Sequence, residues 1–205
     1  MSNLAIMGAG GHGKVVADCA IKSGKYRDIV FLDARHLSME NVLGLPVIGD
    51  DLAVPTLIDE AFEFIVTIGD NAIRQRVFCQ LAQSEAKLAT IVHPSAVLSK
   101  GVTVKTGSVV LAHATINADA LIGHNVIVNT GAIIEHDCMV ENHVHCAPNC
   151  TITGGVKIGS GTLVGTSATI IPNKIIGKEC IIGAGAVVVK DIPDNTLATG
   201  IPASW

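Results

Sequence analysis

Aromatic and charged side chains are scarce in this 205-residue sequence: Phe, Trp and Tyr supply 3% of the residues, and Asp, Glu, Lys and Arg together 16%. Hydrophobic residues nevertheless reach 49%, so the core must be built from small aliphatic side chains. This composition excludes a disordered tail and a coiled coil. The net charge is −4 and the sequence has no cluster of basic residues of the kind that binds nucleic acid.

Long hydrophobic runs are also missing. The longest segment without a charged residue, 158–173, has 16 residues and is rich in Gly, Ser and Thr. A membrane-spanning helix needs about 20 mostly apolar residues. The first basic residue, Lys14, follows the apolar run 4–7, which is the reverse of the order in a secretory signal. We therefore expect a soluble, cytoplasmic protein without membrane insertion.

The first half of the chain, residues 1–92, alternates short apolar runs with helical patterns. Four runs are typical of buried strands: 4–7, 29–33, 64–68 and 88–92. Two segments between them have apolar residues at helical spacing. The predicted buried faces are Val15, Val16, Cys19 and Ala20 in 14–23, and Ile73, Val77, Leu81 and Ala82 in 72–83. Strand and helix in alternation predict a small Rossmann-like α/β domain with a parallel sheet.

A glycine-rich turn, Gly8-Ala9-Gly10-Gly11-His12-Gly13, joins the first strand to the first helix. Its glycines allow the backbone to approach a phosphate at the helix N-terminus, and His12 can donate to that phosphate. Asp33, at the end of the next strand, can accept from a ribose hydroxyl. A plain glycine-rich α/β turn is the alternative. Only one mononucleotide-sized half is present, which favours a nucleotide or nucleotide sugar over a dinucleotide.

The second half repeats every six residues. Sixteen consecutive hexads span 97–192, with Leu, Val or Ile at the second position of each except Cys146, and a small residue at most sixth positions. A period of six predicts a parallel β-helix in which three hexads form one coil. Lys174 interrupts the pattern at a sixth position, and we expect a local bulge beside Pro172.

This register also accounts for most of the cysteines. The sequence has six Cys but no C-x-x-C pair, so neither a disulfide framework nor a zinc knuckle is indicated. Cys138, Cys150 and Cys180 fall at sixth positions and Cys146 at a second position. We expect these four to be buried, reduced thiols that bind no metal.

Hexads preceded by a glycine-rich turn resemble the bacterial sialic-acid O-acetyltransferase and nucleotide-aminosugar N-acetyltransferase family. The resemblance covers nearly the whole chain. It rests on these stretches: Ala9-Gly10-Gly11-His12-Gly13, Phe31-Leu32-Asp33, Ile68-Gly69-Asp70-Asn71 with Arg74, His93-Pro94-Ser95-Ala96, Ile134-Glu135-His136-Asp137-Cys138, Thr153-Gly154-Gly155-Val156 and Gly200-Ile201-Pro202-Ala203. It implies a nucleotide-sugar-binding domain over 1–92 and a left-handed β-helix with a C-terminal tail over 93–205.

The resemblance further implies a homotrimer that acetylates a nucleotide-linked amino sugar with acetyl-CoA, for bacterial surface glycan or glycoprotein synthesis. His136 resembles the catalytic base of the family and Asp137 its orienting partner. The implied nucleotide-sugar residues are Gly8, Gly10, Gly11, His12, Asp33, Gly69 and Asn71. The implied acetyl-CoA residues are His145, Gly154, Gly155, Gly200, Pro202 and Ala203.

Several alternatives remain open at this stage. A UDP-4-amino-4,6-dideoxy sugar is the preferred acceptor, followed by GDP or dTDP amino sugars and by a sialic-acid hydroxyl. The zinc-dependent γ-class carbonic anhydrases also resemble this scaffold, and His136, His143 and His145 could supply their metal ligands. A non-catalytic sugar-nucleotide-binding or scaffold protein would leave His136 as a solvated corner residue. As surface residues, His113, His124 and His143 fall at outward or corner positions, where solvated side chains are expected.

Overall fold

The computed structural model describes residues 1–205 and divides into two compact units, Met1–Pro94 and Ser95–Trp205. We call them the N-terminal unit and the C-terminal unit. None of the helices is both long enough and apolar enough to cross a membrane.

The N-terminal unit alternates strands and helices. Its elements are β1 Ser2–Met7, α1 Gly11–Ser23, β2 Tyr26–Leu32, β3 Asn41–Val42, β4 Leu45–Gly49, α2 Val54–Asp59, β5 Phe62–Val66, α3 Asn71–Gln83, β6 Lys87–Leu88 and β7 Ile91–Val92. Short 3-10 turns occupy His36–Ser38 and Asp51–Ala53. One sheet has the order β3-β4-β2-β1-β5-β6, parallel except for the β3/β4 hairpin. This sheet confirms the predicted α/β class of the first half.

The central pair of strands determines where loops converge. β1 lies between β2 and β5, so the chain leaves β1 toward one side of the sheet and later returns on the other. Ligands of open α/β sheets bind outside the carboxyl ends of the strands where the order reverses. The turn after β1 and the loop after β5 meet at this edge.

Both predicted helical faces needed correction. In α1, Val16, Cys19 and Ala20 are buried, but Val15 is 45% exposed, since successive helical residues diverge by about 100°. In α3 the buried side chains are Arg74, Phe78 and Leu81.

The predicted α3 face, built on Ile73 and Val77, is therefore rotated by about one residue. Ile73 is largely exposed, Val77 is only partly buried and Ala82 is exposed. Phe78 and Leu81 join the cluster of buried aliphatic and aromatic side chains beneath the sheet. The larger apolar surface of Phe78 sets the orientation of the helix, because burial free energy grows with the apolar area removed from water.

The C-terminal unit is a regular solenoid of two-residue strands. They are β8 Val97–Leu98, β9 Thr103–Val104, β10 Val109–Val110, β11 Thr115–Ile116, β12 Leu121–Ile122, β13 Ile127–Val128, β14 Ile133–Ile134, β15 Met139–Val140, β16 His145–Cys146, β17 Thr151–Ile152, β18 Lys157–Ile158, β19 Leu163–Val164, β20 Thr169–Ile170, β21 Ile175–Ile176, β22 Ile181–Ile182, β23 Val187–Val188 and β24 Leu197–Ala198.

These strands form three parallel sheets. The first contains β10, β13, β16, β19, β22 and β24, the second β8, β11, β14, β17, β20 and β23, and the third β9, β12, β15, β18 and β21. Each strand from β8 to β20 pairs with the strand 18 residues further on, as Ile133 does with Thr151, whereas at the end of the helix β22 pairs with β24 after 16 residues. Three hexads therefore make one coil, which confirms the predicted period and the three-sided parallel β-helix.

The hexad positions have distinct backbone and packing roles. Second-position side chains from Val110 onward are buried. At fifth positions the backbone turns through positive φ, as at Asp137 (φ 60) and His143 (φ 63). Gly, Asn and Asp tolerate this conformation best, which explains why they recur there.

Two predictions about inward positions had different outcomes. Cys138, Cys146, Cys150 and Cys180 are buried and carry free thiols, as predicted. The expected bulge near Lys174 is absent: the Lys157 amide donates to the Lys174 carbonyl at 2.9 Å, and the strand register continues unshifted. The Lys174 side chain is partly exposed instead, which a long aliphatic stem with a charged tip allows.

Candidate functional site

The glycines of the turn after β1 serve two different purposes. Gly8 has φ +111, and a Cβ at Gly13 would overlap the carbonyl oxygen of Gly8. These two glycines allow the tight turn and the close packing of α1. At Gly10 and Gly11, by contrast, a Cβ would meet no atom within 4 Å. The middle of the turn therefore faces open space, where a ligand can approach the backbone. His12 follows in the first turn of α1 and is partly buried.

Asp33 is fixed at the end of β2 by three groups. Its Oδ2 accepts from the Ala9 amide at 2.8 Å and from Arg35 Nη2 at 2.9 Å. Its Oδ1 accepts from Arg35 Nε at 2.8 Å and from the Arg35 amide at 3.0 Å. The Arg35 guanidinium, followed by the backbone amides, holds the pKa of Asp33 well below its usual range. The carboxylate thus joins the glycine-rich turn to Arg35, a partner that sequence reasoning missed.

A cavity of about 450 Å³ opens beside Gly10 and Gly11. Lys14 and Arg35 supply its charged lining, and Met39 and Leu43 form part of its apolar wall. Two cations near exposed backbone amides at a helix N-terminus favour an anionic ligand.

The loop after β5 is held in place by two side chains that the sequence analysis did not assign. Thr67 Oγ1 donates to the carbonyl oxygens of Met7 and Gly8 at 3.0 and 2.8 Å, which ties this loop to the glycine-rich turn. Arg74 is fully buried and donates from Nη1 to the carbonyl oxygens of Ile68 and Gly69 at 3.2 and 3.4 Å. Burial lowers the pKa of Arg74 to about 10.

This arrangement exposes Gly69 and leaves Asn71, the other predicted ligand residue, partly buried. A Cβ at Gly69 would meet no atom within 4 Å, so the Gly69 backbone faces open space. The next residue, Asp70, caps α3 by accepting from the Ile73 amide at 2.8 Å. Asn71 begins the helix and is partly buried.

In the C-terminal unit, His136 stands at the corner that joins the second and third sheets. Its Nδ1 lies 2.7 Å from Asp137 Oδ2, and both side chains are more than 60% exposed. The hydrogen bond to Asp137 is the main cause that raises the pKa of His136. A carboxylate only accepts hydrogen bonds, so Nδ1 carries the proton and Nε2 is left to accept one from a substrate.

Gly154 lies one coil further along the same corner, against the His136 ring. A Cβ at this position would come within 2.7 Å of both Cε1 and Nε2. Only glycine leaves room for the imidazole in its observed orientation. The amide of the following residue, Gly155, donates to the His136 carbonyl at 2.9 Å. The structure therefore brings together His136, Asp137, Gly154 and Gly155.

His145 is not part of this group within one chain. It lies in β16 of the first sheet, and in a three-sided coil that sheet is opposite the corner that carries His136. Its Nε2 is 3.1 Å from Asn129 Nδ2 one coil earlier. Asn129 is a further candidate that sequence reasoning missed, because only the 18-residue coil brings these two positions together.

The C-terminal tail adds the remaining predicted positions. The Val187 amide donates to the Gly200 carbonyl at 3.0 Å, and the Ala203 amide donates to the Val187 carbonyl at 2.8 Å. Gly200, Pro202 and Ala203 are thereby held against β23, which belongs to the same sheet as β14.

The other histidines separate by environment. His143 lies at a corner between β15 and β16, as expected, but it is only 8% exposed and its Nδ1 lies 2.9 Å from Asn125 Nδ2, so the expected solvation was wrong for this residue. The positive-φ turn directs its ring toward the preceding coil. His113 is exposed, as expected. No group of three or more His, Cys, Asp or Glu side chains is arranged to hold a metal ion.

Comparison with known proteins places these features in a family. The family model of the PglD N-terminal domain matches residues 3–81. A His-to-Asn mutant of perosamine N-acetyltransferase from Caulobacter crescentus, solved with CoA and GDP-perosamine, is 39% identical, with a TM-score of 0.94 over 100% of this chain and 96% of that chain. The acetyltransferase domain of PglB from Neisseria gonorrhoeae, solved with acetyl coenzyme A, is 40% identical, with a TM-score of 0.95 over 98% of both chains.

A curated relative gives a shorter match. UDP-N-acetylbacillosamine N-acetyltransferase of Bacillus subtilis is 38% identical over 116 residues, which are 55% of this chain and 52% of that protein. The match thus spans about half the length of this relative. Together the comparisons confirm the predicted fold class, an α/β N-terminal unit followed by a left-handed parallel β-helix. The chain therefore belongs to the family of hexapeptide-repeat acetyltransferases that carry a PglD N-terminal domain and N-acetylate nucleotide-linked amino sugars.

Proposed function

We propose that this protein transfers the acetyl group of acetyl-CoA to the amine of a nucleotide-linked amino sugar. The observation that carries the proposal is the His136–Asp137 pair with Gly154 against the imidazole ring. A histidine held by a carboxylate at Nδ1 exposes Nε2 as a general base. Relatives that match this chain over nearly its whole length were solved with CoA and GDP-perosamine or with acetyl coenzyme A.

The proposed reaction needs no covalent enzyme intermediate. The sugar amine attacks the thioester carbonyl carbon, a C–N bond forms, and the amine proton passes to His136 Nε2. The C–S bond then breaks, and CoA leaves as a thiolate that takes up a proton. The Gly154 amide, which makes no hydrogen bond within the chain, is the candidate donor to the oxyanion.

In this proposal the two substrates use different units of the protein. Gly8, Gly10, Gly11, His12, Asp33, Gly69 and Asn71 hold the nucleotide sugar at the edge of the α/β sheet. His145, Gly154, Gly155, Gly200, Pro202 and Ala203 bind acetyl-CoA along the β-helix. The two histidines of the site lie on opposite sides of the coil within one chain. We therefore propose a homotrimer in which neighbouring subunits complete each site.

Replacement of His136 tests this function. His136→Ala should lower kcat by about 10²–10⁴, the usual scale for loss of a general base, with little change in the affinity for either substrate. The assay is thiol release from acetyl-CoA with a panel of UDP, GDP and dTDP amino sugars. His113→Ala, another exposed histidine of the β-helix, is the matched control and should retain native activity. If His136→Ala kept more than about half of native kcat, His136 would not be the base.

A further inference from the structure

The N-terminal unit contains a second cavity, of about 580 Å³, which shares no lining residue with the cavity beside Gly10 and Gly11. Four neighbouring parallel strands each contribute the residue just beyond their carboxyl end or the one after it: Gly8 after β1, Asp33 after β2, Asp50 after β4 and Ile68 after β5. This is the edge where an open α/β sheet binds its ligand. We call this space the strand-end cavity.

Much of the wall of the strand-end cavity is apolar. Leu32 and Ile68 contribute from the sheet side, Val54 from α2, and Val77 and Leu81 from α3. A space of several hundred Å³ between aliphatic walls suits a flat heterocycle, whose faces are apolar and whose polar atoms lie along its edge.

Charge is divided between the two cavities. Lys14 and Arg35 line the first one, whereas the only charged residues that line the strand-end cavity are Asp33, Asp50 and Asp51. A diphosphate is therefore favoured in the first cavity and repelled by the second. Asp33 connects them, because it lines the strand-end cavity while its ion-pair partner Arg35 lines the other.

We infer that the strand-end cavity takes the nucleobase of the sugar nucleotide and that its lining selects guanine over uracil. The inference rests on the proposed function and adds the identity of the base. Ionised carboxylates accept hydrogen bonds and cannot donate them. Guanine presents adjacent donors, its ring N–H and its amino group, which two carboxylates can accept. Uracil presents one N–H between two carbonyl oxygens, and those oxygens are repelled by Asp50 and Asp51.

The remaining polar groups of the cavity agree with this choice. Asp50 Oδ1 accepts from the Leu52 amide at 3.0 Å, while its Oδ2 is 4.0 Å from His36 Nδ1. Asp51 is exposed and lies at the start of the same 3-10 turn. On α3, the amide of Gln80 can donate to the guanine carbonyl oxygen. The order of acceptors changes accordingly, with GDP sugars ahead of UDP and dTDP sugars.

Equilibrium binding of GDP, UDP and dTDP to the full-length protein tests the inference, with isothermal titration as the readout. GDP should bind at least about tenfold more tightly than UDP. In Asp50→Asn the GDP Kd should rise about tenfold or more while the UDP Kd changes less than about twofold, because a charged acceptor is lost only for the donor-rich base. Asparagine still caps the 3-10 turn, so the fold is preserved.

Two further variants test the location of the base. Asp59→Asn removes an exposed carboxylate at the end of α2, outside the cavity, and should leave the GDP to UDP ratio unchanged. Val77→Phe should fill the cavity and weaken GDP binding by about tenfold or more. Native GDP affinity in Val77→Phe, or tighter binding of UDP than of GDP by the native protein, would overturn the inference.

Thiol release separates this inference from the proposed function. Acetylation of a UDP amino sugar in preference to the GDP analogue would reject guanine selection and leave the acetyltransferase proposal intact. Absence of acetyl transfer to every nucleotide amino sugar, with GDP still bound selectively, would reject the acetyltransferase proposal and leave the base site intact.

Discussion

At His136 a single hydrogen bond governs both the charge of the imidazole and the direction in which it accepts a proton. Asp137 binds Nδ1 and raises the pKa of the ring, so more of it is protonated near neutral pH than in a free histidine. A base must be neutral to accept a proton, and a base of higher pKa accepts it more strongly. Asp137 therefore strengthens His136 as the proposed base and moves its working range to higher pH.

Removal of the Asp137 charge should have a measurable effect on the pH profile. In Asp137→Asn the pKa of His136 falls, because the main cause of its rise is lost. The acid limb of kcat/KM against pH should then shift to lower pH, and kcat on the plateau should decrease because the base is weaker. Asp119→Asn, at the same corner one coil earlier, is the control. An unshifted acid limb in Asp137→Asn would show that Asp137 does not set the pKa of the base.

At the residue scale, motifs made of consecutive residues could be recognised in the sequence. Contacts between side chains on neighbouring coils could not. The Glu135-His136-Asp137 triplet indicated the proposed base, and the glycine motif indicated the turn after β1. The contacts of His145 with Asn129 and of His143 with Asn125 join residues 16 and 18 positions apart. Their side-chain directions depend on the corner geometry, so the burial of His143 could not be predicted from its hexad position alone.

Among the elements, α3 links the hydrophobic core to the loop that precedes it. The helix places the cationic head of Arg74 under the carbonyls of Ile68 and Gly69, while Phe78 and Leu81 pack into the core. Apolar periodicity could not reveal this face, because it ranks a buried arginine as a surface residue. The β-helix, by contrast, could be predicted because the pattern of an aliphatic second position and a small sixth position recurs through most of the sixteen hexads.

Arg74→Met tests whether Arg74 positions the loop after β5 or only stabilises the fold. Methionine fills much of the same volume but cannot hold the two carbonyls, so the KM for the nucleotide sugar should rise about tenfold or more while the KM for acetyl-CoA stays within about twofold. Phe78→Leu on the same buried face should lower Tm without changing either KM, since it leaves the loop contacts intact. Equal effects of the two variants on the nucleotide-sugar KM would assign Arg74 a purely structural role.

The burial of the cysteines predicts which thiols react with an alkylating reagent. Four thiols point into the coil, and in α1 burial raises the pKa of Cys19 to about 12. These five cysteines are buried away from a dissolved reagent and should resist alkylation. Cys79 is exposed, and native protein should react rapidly at one thiol per chain. In Cys79→Ser this fast reaction should disappear, as mass spectrometry after brief iodoacetamide treatment can measure. Fast labelling of Cys146 would contradict the predicted interior.

For the molecule as a whole, the placement of His136 and His145 on opposite sides of the coil has a consequence for activity. If each site combines His136 of one subunit with His145 of its neighbour, two inactive variants can complement each other. If the proposed homotrimer assembles at random from co-expressed His136→Ala and His145→Ala chains, about a quarter of all sites should carry both histidines.

Activity of the mixture relative to each pure variant is the measurement for this prediction. In the proposed homotrimer, each pure variant has no site with both histidines, so recovered thiol release would have to come from sites shared between subunits. The control is co-expression of two differently tagged copies of His136→Ala, which should show no recovered activity. Mixed trimers as inactive as the pure variants would contradict a shared site.

Because each coil from β8 to β23 has 18 residues, the number of coils fixes the distance between two sites along the β-helix axis. From β14, which precedes His136, to β23, which holds the Gly200–Ala203 tail, the second sheet advances by three strands. With neighbouring strands about 4.8 Å apart, this separation is about 14 Å along the axis. One coil more or fewer would change the span by about 4.8 Å and leave the corner chemistry as it is. The number of repeats thus sets how long an extended ligand must be to reach from the tail to the base.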